Sequence, residues 1–337
     1  MKFANGAIGI ANLNATMLRC GVTLNPEEFI RIISNTYHAI EAESYDDTHI
    51  EITQFAKPFF KEVLLQTLDI IPHSFSVLDL GCGTGYALQT LLEICPKSRL
   101  HQVMCSDLSS DMVVKAQQNL TAKNITTETF VGTVADLVMW TQPFDMVLTN
   151  SVLHHIADIE SFLANIASLV KPGGVYVMGH EPSSRFMANP ECRAAYERWQ
   201  TLRTWRRRLW FIDPLFYKRV LSKWSGHSQP DILQKTSDKL LRTGVITKPL
   251  TPREVRMMVD IHAPCDLPGD FCLGLPGFDP LKLGSEYLPG FHTICWRSYN
   301  AWIAPAKWAK TANALNKKFS LDGGSFTAAW QRDRKPN

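Results

Sequence analysis

Residues 77–86 read Val77-Leu78-Asp79-Leu80-Gly81-Cys82-Gly83-Thr84-Gly85-Tyr86, and the fold is read outward from them. An apolar strand over Val77–Leu80 runs into a turn with glycine at 81, 83 and 85. A helix-like run from Ala87 to Ile94 follows. Glycine admits positive φ and lets a ligand approach backbone where a Cβ would stand. Strand, glycine-rich turn and helix N-terminus in that order mark a nucleotide-type site at the carboxyl edge of a sheet. Two versions of such a site are excluded. The dinucleotide fingerprint needs Gly or Ala in sixth place, where Tyr86 stands counting from Gly81 and Leu88 counting from Gly83. The phosphate loop G-x-x-x-x-G-K-S/T is absent.

Downstream, His101–Ser106 reads as a second strand ending at Asp107, 22 residues after Gly85. A carboxylate there suits the two hydroxyls of a ribose. It could instead cap the next helix, over 111–123, but Ser109 and Ser110 are better placed for that. A third strand, Thr127–Val131, leads into Gly132-Thr133-Val134-Ala135-Asp136. A fourth, Phe144–Thr149, leads into Asn150-Ser151-Val152-Leu153-His154-His155. A helix over 158–170 ends at Pro172-Gly173-Gly174, and a fifth strand, Val175–Gly179, ends in His180-Glu181-Pro182. Strands and helices alternating every 25–30 residues or about that argue for a parallel sheet.

Asp79-Leu80-Gly81-Cys82-Gly83-Thr84-Gly85, with the acid at 107 and the Val152-Leu153-His154-His155 ending, resembles the class I S-adenosylmethionine (SAM) dependent methyltransferases. The likeness is to their small-molecule branch (methyltransferase type 11/12/25) and covers 77–181. It implies an α/β fold, a Rossmann-like seven-stranded mostly parallel sheet whose seventh strand, antiparallel, inserts between five and six. It implies SAM as methyl donor and S-adenosylhomocysteine (SAH) as product. By the same resemblance the cofactor contacts are Asp79, Gly81, Cys82, Gly83, Gly85, Asp107, Leu108, Thr133, Val134 and Asn150, with Tyr45 from an N-terminal lid. The chain departs from the family after strand three. Many relatives carry Gly-Asp-Ala there, the Asp bonding the adenine amino group; here Thr133 stands in its place, and either its hydroxyl or the Asp136 carboxylate takes over.

Methyl transfer to an O–H, N–H or acidic C–H requires a base. The candidates at the carboxyl edge are His154 or His155 after strand four and His180 or Glu181 after strand five, imidazole having the appropriate basicity. His49, His154, His155, His180, Glu181, Asp260 and His262 could converge on a metal, but no local spacing such as H-E-x-x-H supports one, so none is expected.

The remaining chain divides into four expected units: a helical cap or lid over 1–72, the SAM-binding core over 73–181, a helical aromatic-rich insertion over 182–262, and strands six and seven over 263–337. Pro26-Glu27-Glu28 starts a helix. Tyr45 and His49 flank an acidic cluster that resembles the lid of small-molecule methyltransferases, with His49 toward substrate. The insertion holds Trp199, Trp205, Trp210, Phe211, Phe216, Tyr217 and Trp224, with Arg203, Arg206, Arg207 and Arg208 among them. These aromatics form either an acceptor pocket, with Trp199, Arg203, Trp205 and His262 as its contacts, or the core of a helical subdomain. The arginines form a solvated helix face, an anion site or a membrane-facing patch. Thr251-Pro252-Arg253-Glu254 starts a helix running to about His262. Strand six is expected within 277–287, a basic helix over 304–318, and strand seven over Gly324–Gln331.

The 337 residues are 45% hydrophobic, enough for a substantial core, and the net charge of +3 falls short of the basic bias of a nucleic-acid-bound protein. Eight scattered cysteines without C-x-x-C argue for reduced thiols. No apolar run is long enough for a transmembrane helix and the N-terminus is a poor secretion signal, so the expected location is the cytoplasm. The expected function is methyl transfer to a small, largely hydrophobic metabolite, of the kind found in secondary metabolism, through O, C or N. Partners are then a small-molecule substrate and at most a second copy in a homodimer, with no nucleic acid. The alternatives are a non-methylating SAM-binding protein or cyclase on the same fold, or a protein or RNA methyltransferase.

Overall fold

The computed structural model describes residues 7–45, 49, 51–208, 232–263, 273–300 and 309–334, and of 7–10, 187, 200, 203–208, 309, 311 and 312 the backbone alone. Its centre is a seven-stranded sheet of order β3-β2-β1-β4-β5-β7-β6. The strands are β1 Phe75–Leu80, β2 Leu100–Asp107, β3 Glu128–Val131, β4 Phe144–Asn150, β5 Val170–Pro182, β6 Phe291–Tyr299 and β7 Ser325–Arg332. The first five run parallel; β7 is antiparallel to both β5 and β6. Chain order reverses between β1 and β4, the crevice where open α/β sheets bind ligands.

β1 is buried along its whole length, as a central strand covered on both faces must be. The helices that follow are α1 Ala7–Arg19, α2 Pro26–Glu41, α3 Lys57–Leu68, α4 Tyr86–Leu91, α5 Ser110–Thr121, α6 Val134–Trp140, α7 Ile159–Leu169, α8 Ser184–Ala188, α9 Pro190–Arg208, α10 Ile232–Arg242, α11 Pro252–Val259 and α12 Ala309–Lys318. On one sheet face Phe60, Val63 and Leu64 of α3 join Leu88, Leu91, Ala116 and Leu120 of α4 and α5. On the other, Ile159, Phe162, Leu163 and Ile166 of α7 pack on Leu78, Phe144, Val147 and Tyr176.

A third core joins two segments distant in the chain. Leu13 and Met17 of α1 and Phe29, Ile30 and Ile33 of α2 bury against Leu240 of α10 and Val255, Met258 and Ile261 on and after α11. Ion pairing ties the same elements, Arg19 meeting Glu254 at 2.7 Å. Thr251 caps α11 through a reciprocal box with Glu254, as its sequence indicates. That helix stops at Val259, short of His262.

Strand six is not where the sequence placed it. Residues 277–287 carry an isolated bridge (Ser183 with Phe278), one turn of helix at Pro280–Lys282 and a π-helical turn at Leu283–Tyr287. The strand begins after Gly290, whose φ of +77° turns the chain into β6. Pro280 and Gly284 disfavour a strand interior, and Phe278 and Leu283 are buried instead in the core that α7 covers, while Leu281 is exposed. Of the basic helix expected over 304–318, Ala309–Lys318 is helical and 301–308 lie outside the described residues.

Candidate active site

Two cavities open at the carboxyl edge. The first, of about 520 Å³, lies over the β1–β4 crevice, and the glycine loop forms part of its wall. Asp79, Gly81, Cys82, Gly83, Asp107, Leu108, Thr133, Val134 and Asn150 all line it, and Tyr45 closes one side. Gly81 and Gly83 have φ of +65° and +50°. A Cβ on Gly81 would stand 2.6 Å from Val152, whereas one on Gly83 would meet nothing within 4 Å. The first glycine is demanded by packing; the second borders open space.

The Asp107 carboxylate takes one backbone N–H on each oxygen, from Gly83 at 3.0 Å and Ser109 at 2.9 Å. Burial raises its pKa against these bonds. Ser109 is the N-cap of α5, so Asp107 is not needed for that task. Asp79 is buried, accepts from Leu88 N at 3.4 Å, and is raised to about 8 by burial. Ser106 Oγ, on the same wall, is buried without a hydrogen-bond partner among the described residues.

Three features of this cavity differ from the sequence reading. Gly85 does not reach it: at φ +81° it is the N-cap of α4, and its Cβ position faces Ala116 of α5. Thr133 and Asp136 satisfy each other in a capping box at the start of α6, Thr133 Oγ1 lying 2.6 Å from Asp136 Oδ2. The hydroxyl and the carboxylate, one or the other of which was expected at the adenine, are bonded to one another. From the N-terminal segment, Ile30, Arg31, Ser34 and His38 of α2 complete the wall.

The second cavity, of about 470 Å³, adjoins the first and shares Tyr45, His38, Ser151 and His155 with it. His49, His154, His155 and His180 line it, with Tyr37, Phe186, Tyr196, Ile232 and Leu233 as an apolar flank. Two non-glycine residues at its rim, Ser151 and His180, adopt left-handed φ of +61° and +49°. Such strain collects at functional sites.

Glu181 is wholly buried and accepts four bonds: Val152 N (2.8 Å), Leu153 N (2.7 Å), His154 N (3.2 Å) and His154 Nδ1 (2.8 Å). It anchors the 153–155 turn and is not itself exposed to an acceptor, which corrects its expected place as a base. Its charge raises the His154 pKa although burial acts the other way. The His155 ring lies against that of His154, tilted by 48° with centroids 3.9 Å apart, and donates Nδ1–H to Val259 O at 2.8 Å. Burial first, then His154 and His38, hold it well below 6.5. His180 is pushed down to about 4 by burial and meets Tyr299 Oη at 3.2 Å.

Across the cavity, His49 lies between two carboxylates, Glu41 at 2.9 Å and Glu51 at 2.8 Å. Burial opposes its charge, but bonds from the two acids raise it to about 10. Glu41 also accepts from Tyr37 Oη at 3.0 Å and is lowered to about 2 by His38 and His49 against the effect of burial.

His262 is corrected. It lines neither cavity, is 3% exposed, and uses Nε2 on Ile156 O (2.8 Å) and Nδ1 on Leu275 N (2.7 Å). Trp199 stacks on Tyr196 at 6.3 Å and is not a lining residue. The side chains of Arg203 and Trp205, and the aromatics at 210, 211, 216, 217 and 224, lie outside the described residues. The sequence reading missed Tyr37, His38, Glu41, Phe186 and Tyr196. The α2 residues carried a signal: Ile30, Ser34, Tyr37, His38 and Glu41 recur at helical spacing on one face. Phe186 and Tyr196 carried none.

Residues 77–174 match the family described as a methyltransferase domain. Over 100 residues the chain is 31% identical to the ubiquinone biosynthesis O-methyltransferase of Mesorhizobium japonicum, covering 29% of this chain and 38% of that one. Over 121 residues it is 34% identical to the tRNA 5-carboxymethoxyuridine methyltransferase of Escherichia coli, covering 34% and 44%. A SAM-dependent methyltransferase from Clostridium acetobutylicum superposes with a TM-score of 0.34 at 20% identity, over 40% of this chain and 55% of that one. The chain spans less than half the length of the curated relatives it matches. No described helix is long and apolar enough to cross a membrane. Residues 77–174 therefore carry a methyltransferase domain, set on the strands and glycine loop of a Rossmann-like sheet.

Proposed function

We propose that the protein methylates a small molecule with an apolar body and one reactive polar atom, using SAM as donor. The observation that carries this reading is the pairing of two adjoining cavities, one lined by the glycine loop and Asp107, the other by His154 backed by Glu181.

The first cavity suits SAM. Asp107 has acceptor capacity left on both oxygens for ribose hydroxyls, the orphaned Ser106 Oγ awaits a polar partner, and the open space beside Gly83 admits a ligand close to backbone. Because Thr133 and Asp136 bond each other, the adenine end is left to the lining around Val134 and to α2. When bound, SAM supplies a methyl group on a sulfonium, an electrophile for in-line displacement.

In the second cavity Glu181 orients the His154 ring through Nδ1, which leaves Nε2 as the atom able to take a proton from the acceptor. Tyr37, Phe186, Tyr196, Ile232 and Leu233 receive the apolar body and exclude water. Tyr45 and His155, common to both cavities, hold donor and acceptor in register.

The test is calorimetric titration with SAH, followed by transfer of labelled methyl from SAM to small hydroxyl and amine acceptors and, in parallel, to tRNA. Wild type binds SAH, and Asp107→Ala weakens binding about 100-fold, the loss of two charge-assisted bonds worth together about 3 kcal/mol. Failure of wild type to bind SAH would sink the reading, and transfer to tRNA alone would replace its acceptor.

A further inference from the structure

We propose that His154, His155 and Asp260 form a binding site for one divalent first-row transition-metal ion, on the wall of the second cavity. One donor atom from each of the three lies within 4.8 Å of the others, close to the spread that ligands of a single ion need. The stronger observation is what holds each side chain. His154 Nδ1 is bonded to Glu181 Oε2 at 2.8 Å, His155 Nδ1 to Val259 O at 2.8 Å, and Asp260 Oδ2 pairs with Arg256 Nε at 3.4 Å. Among the described residues, the Nε2 of both rings carries no hydrogen bond, and Asp260 Oδ1 has only a 3.7 Å contact, made with His155 Nδ1. Imidazoles with one nitrogen fixed by a carboxylate or a carbonyl, and a carboxylate with one oxygen steered by a cation, are the outer supports that metal ligands carry.

The donor set, two imidazoles and one carboxylate, fits zinc, cobalt, iron(II) or manganese rather than calcium or magnesium, which prefer oxygen throughout. Three protein ligands leave a position open to the cavity, as in sites where the ion handles substrate. All three residues line the second cavity. The ligand class that follows is an acceptor with an oxygen donor, a hydroxyl or enol that binds the ion and is acidified by it. With the ion in place His154 Nε2 would be a ligand and no longer the base; the ion would lower the pKa of the bound hydroxyl, whose proton would be lost to solvent water as the oxygen binds. This deepens the reading above by naming the acceptor's reactive group, and it rests on the same cavity.

The experiment is titration of chelator-treated full-length protein with Zn²⁺ by calorimetry and with Co²⁺ by visible d–d absorption. SAH titration and thermal unfolding are run on the same samples. One ion binds per chain, and Asp260→Ala and His154→Ala each weaken it about 10-fold or more; Glu181→Gln, one bond further out, weakens it about 10-fold. Asp260 lines the second cavity alone, so SAH affinity in Asp260→Ala is the folding control. Absence of stoichiometric binding to wild type, or binding indifferent to Asp260→Ala and His154→Ala in folded variants, overturns the site. If SAH binds and metal does not, only this inference falls. If metal binds and SAH does not, the methyl-transfer reading falls and the site stands.

Discussion

The two cavities share a wall but draw on the chain in different ways. The first takes its loop, its buried acids and its Ser106 from the ends of β1 and β2 and the turn after β1, within some thirty residues of one another or about that, in the pattern usual for sheet-edge sites. The second takes His49 and Glu41 from the N-terminal segment, His154 and His155 from the turn after β4, His180 from β5, Tyr196 from α9 and Asp260 from beyond α11. A local loop needs only correct backbone geometry. A cavity assembled from distant segments needs each to be held by partners, and here the holding groups are buried acids. Glu181 fixes the turn after β4, and Glu41 fixes His49 to α2.

That contrast can be broken most sharply at His154. With Nε2 as the proton acceptor, His154→Ala lowers kcat about 100-fold to 10,000-fold while leaving SAH affinity within about twofold, since base removal acts on the chemical step. The same role fixes a pH profile. Glu181 raises the His154 pKa above its ordinary value of 6.5, against the effect of burial, and only the neutral ring can accept. In metal-free protein kcat therefore falls as pH drops through a midpoint above 6.5. A pH-independent kcat, or one that falls as pH rises, would remove His154 from the chemistry.

Glu181→Ala comes next. It leaves three buried backbone N–H groups and one imidazole without their acceptor, and unfolding by urea registers a loss of about 3 kcal/mol. A variant as stable as wild type would mean that the turn after β4 holds itself.

His49→Ala tests the clamp on the opposite wall and costs about 2 kcal/mol, because Glu41 stays buried with only His38 and Tyr37 as partners. Its pH signature has two edges. Glu41 is lowered to about 2, so its contribution is present above 4.5 and fades as pH falls toward 2. His49 is raised to about 10, so its contribution is complete below 6.5 and fades as pH rises toward 10. The wild-type excess in Tm is therefore greatest between 4.5 and 6.5, and a flat difference from pH 3 to 10 or about that would refute the clamp.

The smallest effect belongs to the first cavity. Thr133→Ala removes an N-cap and costs about 1 kcal/mol of stability. SAH affinity changes by less than about threefold, because the hydroxyl is bonded to Asp136. A large loss of SAH affinity would restore Thr133 as an adenine contact.

Much of the first cavity was legible. Asp79, Gly81, Gly83 and Asp107 belong to a motif whose spacing is set by a strand ending in a turn, and local backbone geometry reproduces it wherever the motif occurs. The misreadings fall where one residue type serves two purposes. Gly85 answers to helix packing against Ala116, and Thr133 with Asp136 to a cap. His262, expected in the substrate cavity, is a core histidine with both nitrogens bonded to backbone. Strand six was misplaced because Phe278, Leu281 and Leu283 alternate with polar residues or proline as a strand would, although only Phe278 and Leu283 are buried.

By itself the sequence determined the alternation of strands and helices that makes a parallel sheet, the glycine loop and the acid at 107, since each is written within one strand–turn–helix unit. Only the tertiary structure decided that α1 and α2 share a core with α10 and α11, that Glu181 is a buried anchor, and that His154, His155 and Asp260 converge. Those facts depend on which segments the third core and the β4–β5 pairing bring together. Burial and the pairing of charges across it are properties of the assembled interior, and no spacing along the chain encodes them.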